Sequence, residues 1–197
     1  MKSSYRAVVI GGGVVGASVL YHLAKFGWTD VALVERAELT AGSTWHAAAG
    51  FHALNGDPNI AALQDYTINL YKQIEAESGQ DVGLHMTGGV NFATNQNRWE
   101  QLKAGWATFQ AIGVETASLV TPEEIREMTG GIIRTADILG GLADTNEGYL
   151  DPYGTTMAYV GAAKKCGAEV ILRNRVIELN QRGAGTWAVV PEQGTLD

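Results

Sequence analysis

One cysteine, Cys166, is all the thiol chemistry in 197 residues. An intrachain disulfide is therefore impossible, and the chain suits a reducing compartment. Cys166 falls near a predicted helix end and reads as a small packed residue rather than a nucleophile. The four histidines show no metal-ligand spacing with it. Basic residues are outnumbered 14 to 21, for a formal charge of −7, and no basic stripe exists to neutralise phosphates. That excludes a nucleic-acid partner. No apolar run approaches the ~20 residues of a membrane span. The N-terminus enters its first strand too soon for a signal or transit peptide, so the expected location is cytoplasmic. Internal repeats and low-complexity linkers are missing as well. What remains, 46% hydrophobic and 18% charged residues, is the composition of an ordinary globular domain.

The informative stretch is the first fifty residues. Arg6-Ala7-Val8-Val9-Ile10 is a short β-branched run without alternation, which suits a parallel strand buried on both faces. Gly11, Gly13 and Gly16 follow at once in G-x-G-x-x-G spacing. The first glycine permits a tight turn, the second lets backbone approach a pyrophosphate, and the third lets the next helix sit close to the strand. That helix, Val14 to Lys25, points its N-terminus and the positive end of its dipole at the phosphates. Gly27 supplies the left-handed stop. Val31 to Val34 is a second buried strand ending at Glu35, a carboxylate placed to accept hydrogen bonds from an adenosine ribose and to repel the extra phosphate of NADP. Strand, glycines, helix, strand and acid in this order indicate a dinucleotide site.

From Ala37 to Phe51 the chain is rich in small residues, and such a segment can lie flat against a large ligand. Asp57-Pro58 opens a helix that Gly79 stops. Gly88-Gly89 precede a strand from Val90 to Ala93. Trp99, Leu102, Trp106 and Phe109 then line one helical face up to Gly113, a stripe better explained by packing than by a ligand. Thr121-Pro122-Glu123-Glu124 has the capping-box pattern and opens a short helix to Met128. A strand is expected from Leu139 to Ala143. Asp151-Pro152 starts a helix to about Cys166, and Glu169 to Leu172 is a strand that can rejoin the parallel sheet. Arg175 to Leu179 and Thr186 to Val190 read as an antiparallel pair.

With these residues in view, the chain resembles the flavin-dependent amine oxidoreductases of the D-amino-acid-oxidase type, and among them dimethylglycine and sarcosine dehydrogenases. The likeness rests on Gly11 to Gly16, on Glu35-Arg36, on Leu39-Thr40-Ala41-Gly42-Ser43-Thr44-Trp45-His46-Ala47-Ala48, and on Tyr149-Leu150-Asp151-Pro152. It implies an α/β fold: a Rossmann-type FAD-binding domain with a parallel sheet and the start of an antiparallel meander, over residues 1–82 and 144–197. An inserted α+β lobe, 83–143, is part of the substrate wall. FAD is the implied cofactor, touched by Gly11, Gly13, Val14, Val15, Gly16, Glu35, Arg36, the segment Gly42, Ser43, Thr44, Trp45, His46, Ala47, Ala48, Ala49 and Gly50, and the backbone of Val176. His46 is implied to be joined covalently to the 8α-methyl carbon of the flavin. Alone, His46 reads as a packed or solvent-facing loop histidine; the Ser-Thr-Trp-His string turns the reading toward the flavin and against NAD. A neutral imidazole is present often enough near pH 7 for that bond to form.

The implied reaction is hydride transfer from the N-methyl carbon of a small amino acid such as dimethylglycine or sarcosine, leaving an iminium that water hydrolyses. Oxygen, a quinone or a flavoprotein are all open as electron acceptor. A related amino-acid oxidase, or an FAD-binding fragment without turnover, stands as the alternative. Members of the family run well beyond this length, so the chain reads as their N-terminal portion, its last strand leaving an edge unpaired. A tetrahydrofolate region would belong only to a longer form. His22 reads as structural, and His52 and His85 have no supporting spacing.

Overall fold

The computed structural model describes residues 2–183 and 185–194. In chain order its elements are β1 (Ala7–Ile10), α1 (Val14–Lys25), β2 (Val31–Val34), a 3₁₀ turn (Ser43–His46), β3 (Gly50–Phe51) and α2 (Pro58–Ser78). They continue with β4 (Gly89–Ala93), α3 (Gln96–Ala111), β5 (Ala117–Val120), α4 (Pro122–Met128), β6 (Gly140–Asp144) and β7 (Gly148–Tyr149). Last come α5 (Pro152–Lys165), β8 (Glu169–Ile171), β9 (Val176–Gly183) and β10 (Thr186–Pro191). Two compact units result: Met1–Ala49 with Tyr71–Gly83 and Leu150–Asp197, and Gly50–Leu70 with Leu84–Tyr149.

The first unit is α/β. Its parallel sheet has the order β1-β2-β8, with Ala7 beside Val31 and Ala32 beside Glu169. All four residues of β2 are buried, as expected of the middle strand of a covered parallel sheet. Helix α1 buries Ala17, Leu20, Tyr21 and Ala24 and packs against α5, which buries Ala158, Tyr159, Val160, Ala162 and Ala163. Small residues on the facing sides let the two helices approach. Asp151 caps α5, accepting the amides of Tyr153 at 3.0 Å and Gly154 at 2.9 Å, with Pro152 in the first turn. Strands β9 and β10 form the expected antiparallel pair, and Val189 packs with Val34. Cys166, expected to be packed, is exposed: it caps α5 beyond the helix's buried face, where no partner element covers it.

The second unit is α+β. Strands β4, β6 and β5 make an antiparallel sheet in that order, and α3 lies against it. The Trp99, Leu102, Trp106 and Phe109 stripe is core, packed with Ala93, Ala117 and Leu142. Gly140 is glycine for a packing reason: a Cβ there would sit 2.7 Å from the Trp99 ring. The capping box at Thr121 is complete, with Thr121 accepting the Glu124 amide and Glu124 accepting that of Thr121. This unit includes 50–70 as well as 84–149, so it is larger than the expected 83–143 insert; Leu54, for one, packs on its core. Strands β3 and β7 pair antiparallel, Gly50 with Tyr149.

Candidate functional site

The turn between β1 and α1 is built from bare backbone. Gly11 has φ +109°, which a side chain would strain, and a Cβ added there would meet nothing within 4 Å. Its amide continues the sheet by donating to Val34 at 2.9 Å. Gly16 faces the opposite situation: its Cβ would lie 2.0 Å from the Gly11 carbonyl oxygen, so α1 approaches the turn only with hydrogen at that position. Gly13, extended at φ −80°, is the N-cap of α1, with no side chain to cap it.

The cap comes from elsewhere. The Thr44 hydroxyl accepts the Val14 amide at 3.0 Å and would lie 3.0 Å from a Cβ on Gly13. One of the helix N–H groups expected to be free for phosphate is thus held by Thr44, which seats its oxygen at the positive end of the helix dipole. Val15, one residue on, leaves 75% of its surface exposed on the first turn.

Glu35 lies at the end of β2, as the sequence suggested, and its carboxylate is already engaged. Oε2 accepts the Gly12 amide at 2.6 Å and Oε1 accepts that of Ala37 at 2.8 Å. A carboxylate has about four acceptor directions, so these two bonds leave acceptor capacity on Glu35. Gly12, at a template position with no assigned task, is buried under Glu35 and Leu39; a Cβ there would come within 2.8 Å of Leu39 Cδ2. Arg36 is exposed.

The small-residue segment starts from a second strained point. Thr40 is buried with φ +67°, rare for a β-branched residue, and its amide donates to the Gly12 carbonyl at 2.9 Å. Its own carbonyl accepts the Trp45 amide at 3.2 Å, closing the loop over Ala41 and Gly42 into the Ser43–His46 turn. Ser43, Trp45, His46, Ala47 and Ala48 are exposed, and a Cβ on Gly42 would meet nothing within 4 Å. Trp45 leaves 64% of its surface exposed while its ring meets that of Tyr153 edge-to-face, with centroids 6.3 Å apart at 89°. Ala49 has φ +55°, and its carbonyl accepts the Leu150 amide at 3.2 Å. Gly50 belongs to β3 in the second unit, and Val176 opens β9 beside Pro191.

The structure therefore brings Glu35, Thr40 and Thr44 onto the Gly11 to Gly16 turn, with the Ser43–His46 turn following from Thr40. The sequence reading had no role for Gly12, Thr40 or Tyr153. A third consecutive glycine was the only local sign of the first, and neither of the others carries one. Outside this site, His22 bonds the Ser18 carbonyl through Nδ1 at 2.7 Å, and His85 stacks on Tyr149 with centroids 4.7 Å apart. Among the described residues no group of three or more His, Cys, Asp or Glu could hold a metal ion, and no helix is long and apolar enough to cross a membrane.

Comparison with known proteins gives this geometry its family. The family described as "FAD dependent oxidoreductase" matches residues 6–197. Human "Dimethylglycine dehydrogenase, mitochondrial" is 39% identical over 200 residues, covering 99% of this chain and 22% of that protein. Human "Sarcosine dehydrogenase, mitochondrial" is 34% identical over 172 residues, covering 87% and 18%. Among solved structures, L-proline dehydrogenase from P. horikoshii shares the fold with a TM-score of 0.90 at 23% identity, covering 100% of this chain and 51% of that one. The chain spans about a fifth of the length of the two curated relatives. It belongs to the DAO family of FAD-dependent oxidoreductases.

Proposed function

We propose that this chain supplies the FAD-holding part of an oxidoreductase that oxidises the N-methyl C–N bond of a small amino acid such as dimethylglycine or sarcosine, with FAD joined to His46. The observation that carries the reading is the Ser43–His46 turn: Thr44 pins it to the N-terminus of α1 while Trp45 and His46 stay exposed beside it. The residues present fit FAD. Gly11 and Gly42 leave open space before bare backbone, and Glu35 keeps acceptor capacity for a ribose. The turn from Gly11 through Gly13, Val14 and Val15 would face the pyrophosphate, with the Gly11 and Val14 amides already held by Val34 and Thr44 and Gly16 letting α1 approach. Arg36, the Gly42 to Ala49 segment and the Val176 backbone would line the rest. Bound flavin supplies the two-electron acceptor for a hydride from the N-methyl carbon.

His46 would supply the nucleophile, an imidazole nitrogen on the exposed turn. With FAD bound, His46 would hold it through a bond between an imidazole nitrogen and the ring's 8-methyl carbon in place of one N–H and one C–H, a two-electron oxidation that needs an acceptor such as dioxygen. The relatives named for dimethylglycine and sarcosine support the substrate class.

A second reading, an FAD-binding piece without turnover or a related FAD-dependent amino-acid oxidase, is favoured by one observation: the chain spans about a fifth of those relatives. The test uses the intact protein. Acid precipitation should leave a fluorescent protein band with flavin mapped to His46, and anaerobic dimethylglycine or sarcosine should bleach the flavin spectrum. Complete release of FAD on denaturation would end the covalent reading, and a spectrum unmoved by either amine would end the substrate reading.

A further inference from the structure

We infer that Tyr153 is a positioning residue for the covalent attachment of flavin, acting through Trp45 on the approach of His46; the inference rests on the proposed role of His46. The Ser43–His46 turn is a single 3₁₀ turn, too short to hold its side chains by its own hydrogen bonds. Thr44 is fixed by the Val14 amide. After His46 the Ala47 amide closes the turn on the Thr44 carbonyl at 3.2 Å, and the chain then runs through exposed Ala48 to the Ala49 carbonyl, which accepts the Leu150 amide. These bonds fix the turn's backbone, with the Trp45 amide on the Thr40 carbonyl; the ring contact of Trp45 with Tyr153 is what restrains the Trp45 side chain on the turn's exposed side.

Tyr153 is the rigid partner of the pair. It stands in the first turn of α5, its amide held by Asp151 at 3.0 Å and its backbone preset by Pro152. The two rings meet edge-to-face at 89°, an arrangement the ring quadrupoles favour. Both nevertheless keep large exposed areas, 64% for Trp45 and 43% for Tyr153. Two apolar rings fixed against each other at the surface, next to the histidine, suit a planar aromatic ligand laid beside them. Bond formation to His46 depends on approach distance and angle, so a loosened Trp45 lowers the rate of linkage more than the affinity for FAD.

The experiment follows linkage in the intact protein, prepared without flavin and reconstituted with FAD. Covalent incorporation is timed by in-gel fluorescence, and reversible FAD binding is measured separately by quenching at early times. Tyr153→Ala should link about two- to tenfold more slowly, the worth of one aromatic pair expressed as a rate. Its initial FAD affinity should stay within about twofold. Tyr153→Phe should link at the wild-type rate, because the ring and not the hydroxyl makes the contact. Tyr153→Leu keeps bulk without the ring; it should melt with the wild type and still link slowly, which covers the case of an unstable Ala variant. Wild-type linkage in both Ala and Leu variants overturns the inference, as does a Phe variant as slow as Ala. Wild-type protein carrying no covalent flavin would instead remove the His46 reading itself.

Discussion

Glu35 Oε2 accepts the Gly12 amide at 2.6 Å, tying the end of β2 to the glycine turn across 23 residues of chain. The same carboxylate holds the Ala37 amide, so it fixes the shape of the turn, and the proposed function gives it the ribose as well. Glu35→Gln keeps the size but sets an amide donor against one of the two N–H groups. FAD affinity should fall by about 1–3 kcal/mol, the scale for losing a charged hydrogen-bond partner. The FAD-free protein should also melt lower. Titration and calorimetry read the two effects, and unchanged affinity would remove Glu35 from the site.

The three template glycines differ in what they resist. Gly16→Ala drives a methyl into the Gly11 carbonyl, 2.0 Å away and part of the backbone, so the helix must shift. A cost at the upper end of overpacking, about 3 kcal/mol or more, is expected, with FAD binding lost. Gly11→Ala meets nothing within 4 Å and carries only the strain of φ +109°, about 1–3 kcal/mol. Thermal melts of the two variants should rank Gly16→Ala as the worse; the reverse order would mean the turn relaxes more readily than the helix.

What the sequence disclosed was local. Glycine spacing, the acid at the end of β2, the Asp151 cap, the Thr121 capping box and the Trp99 to Phe109 stripe each lie within one turn or one helix face, where period and side-chain chemistry determine the outcome. Contacts made across distance left no such trace. Strands β3 and β7 have two residues each, too few to show a period, and exist only because Gly50 meets Tyr149. The four residues of β5 were missed because β6, its partner, lies past an intervening helix. Gly12 is glycine because Leu39 and Glu35 cover it, and Tyr153 matters through a ring that comes from Trp45. Cys166 went the other way: the residue type's usual burial yielded to a position past the covered face of α5.

A buried tyrosine makes one part of the first unit sensitive to acid. The Tyr21 hydroxyl donates to Glu77, and Lys25 Nζ reaches the Tyr21 oxygen at 2.7 Å and Glu77 at 3.2 Å. The Tyr21 bond holds the Glu77 carboxyl below the usual range; burial opposes it, and the bond and charge of Lys25 add smaller downward effects. A depressed folded pKa stabilises the fold above the unfolded value of about 4.3, and that stability is lost as pH falls through the folded value. Tyr21→Phe should therefore cost about 1 kcal/mol at pH 7, discounted because Glu77 is partly exposed. The gap in melting temperature should narrow below about pH 4. A gap independent of pH would assign the loss to packing alone.

The opposite sign holds in the second unit, at Glu147. Its carboxylate lies against Gly89, where an added Cβ would overlap Oε2 at 1.7 Å. Burial raises the Glu147 carboxyl above its ordinary range, the charge of Asp144 raises it further, and His52 pulls the other way. Asp144 is buried too, with Oδ1 accepting the Asn146 amide at 2.9 Å and Oδ2 without a hydrogen-bond partner among the described residues. A raised folded pKa means the folded chain holds the proton more tightly than the unfolded one. The ionised carboxylate then weighs against the fold at neutral pH; this penalty eases as pH falls through the folded value and is gone below about 4.3. Glu147→Gln removes the charge and offers an amide donor to the neighbourhood of Asp144. The variant should melt above the wild type at pH 8, with the two curves converging toward pH 4. A Glu147→Gln protein that melts below the wild type at pH 8, or a difference that grows on acidification, would show that the carboxylate is stabilised in place rather than strained by its surroundings.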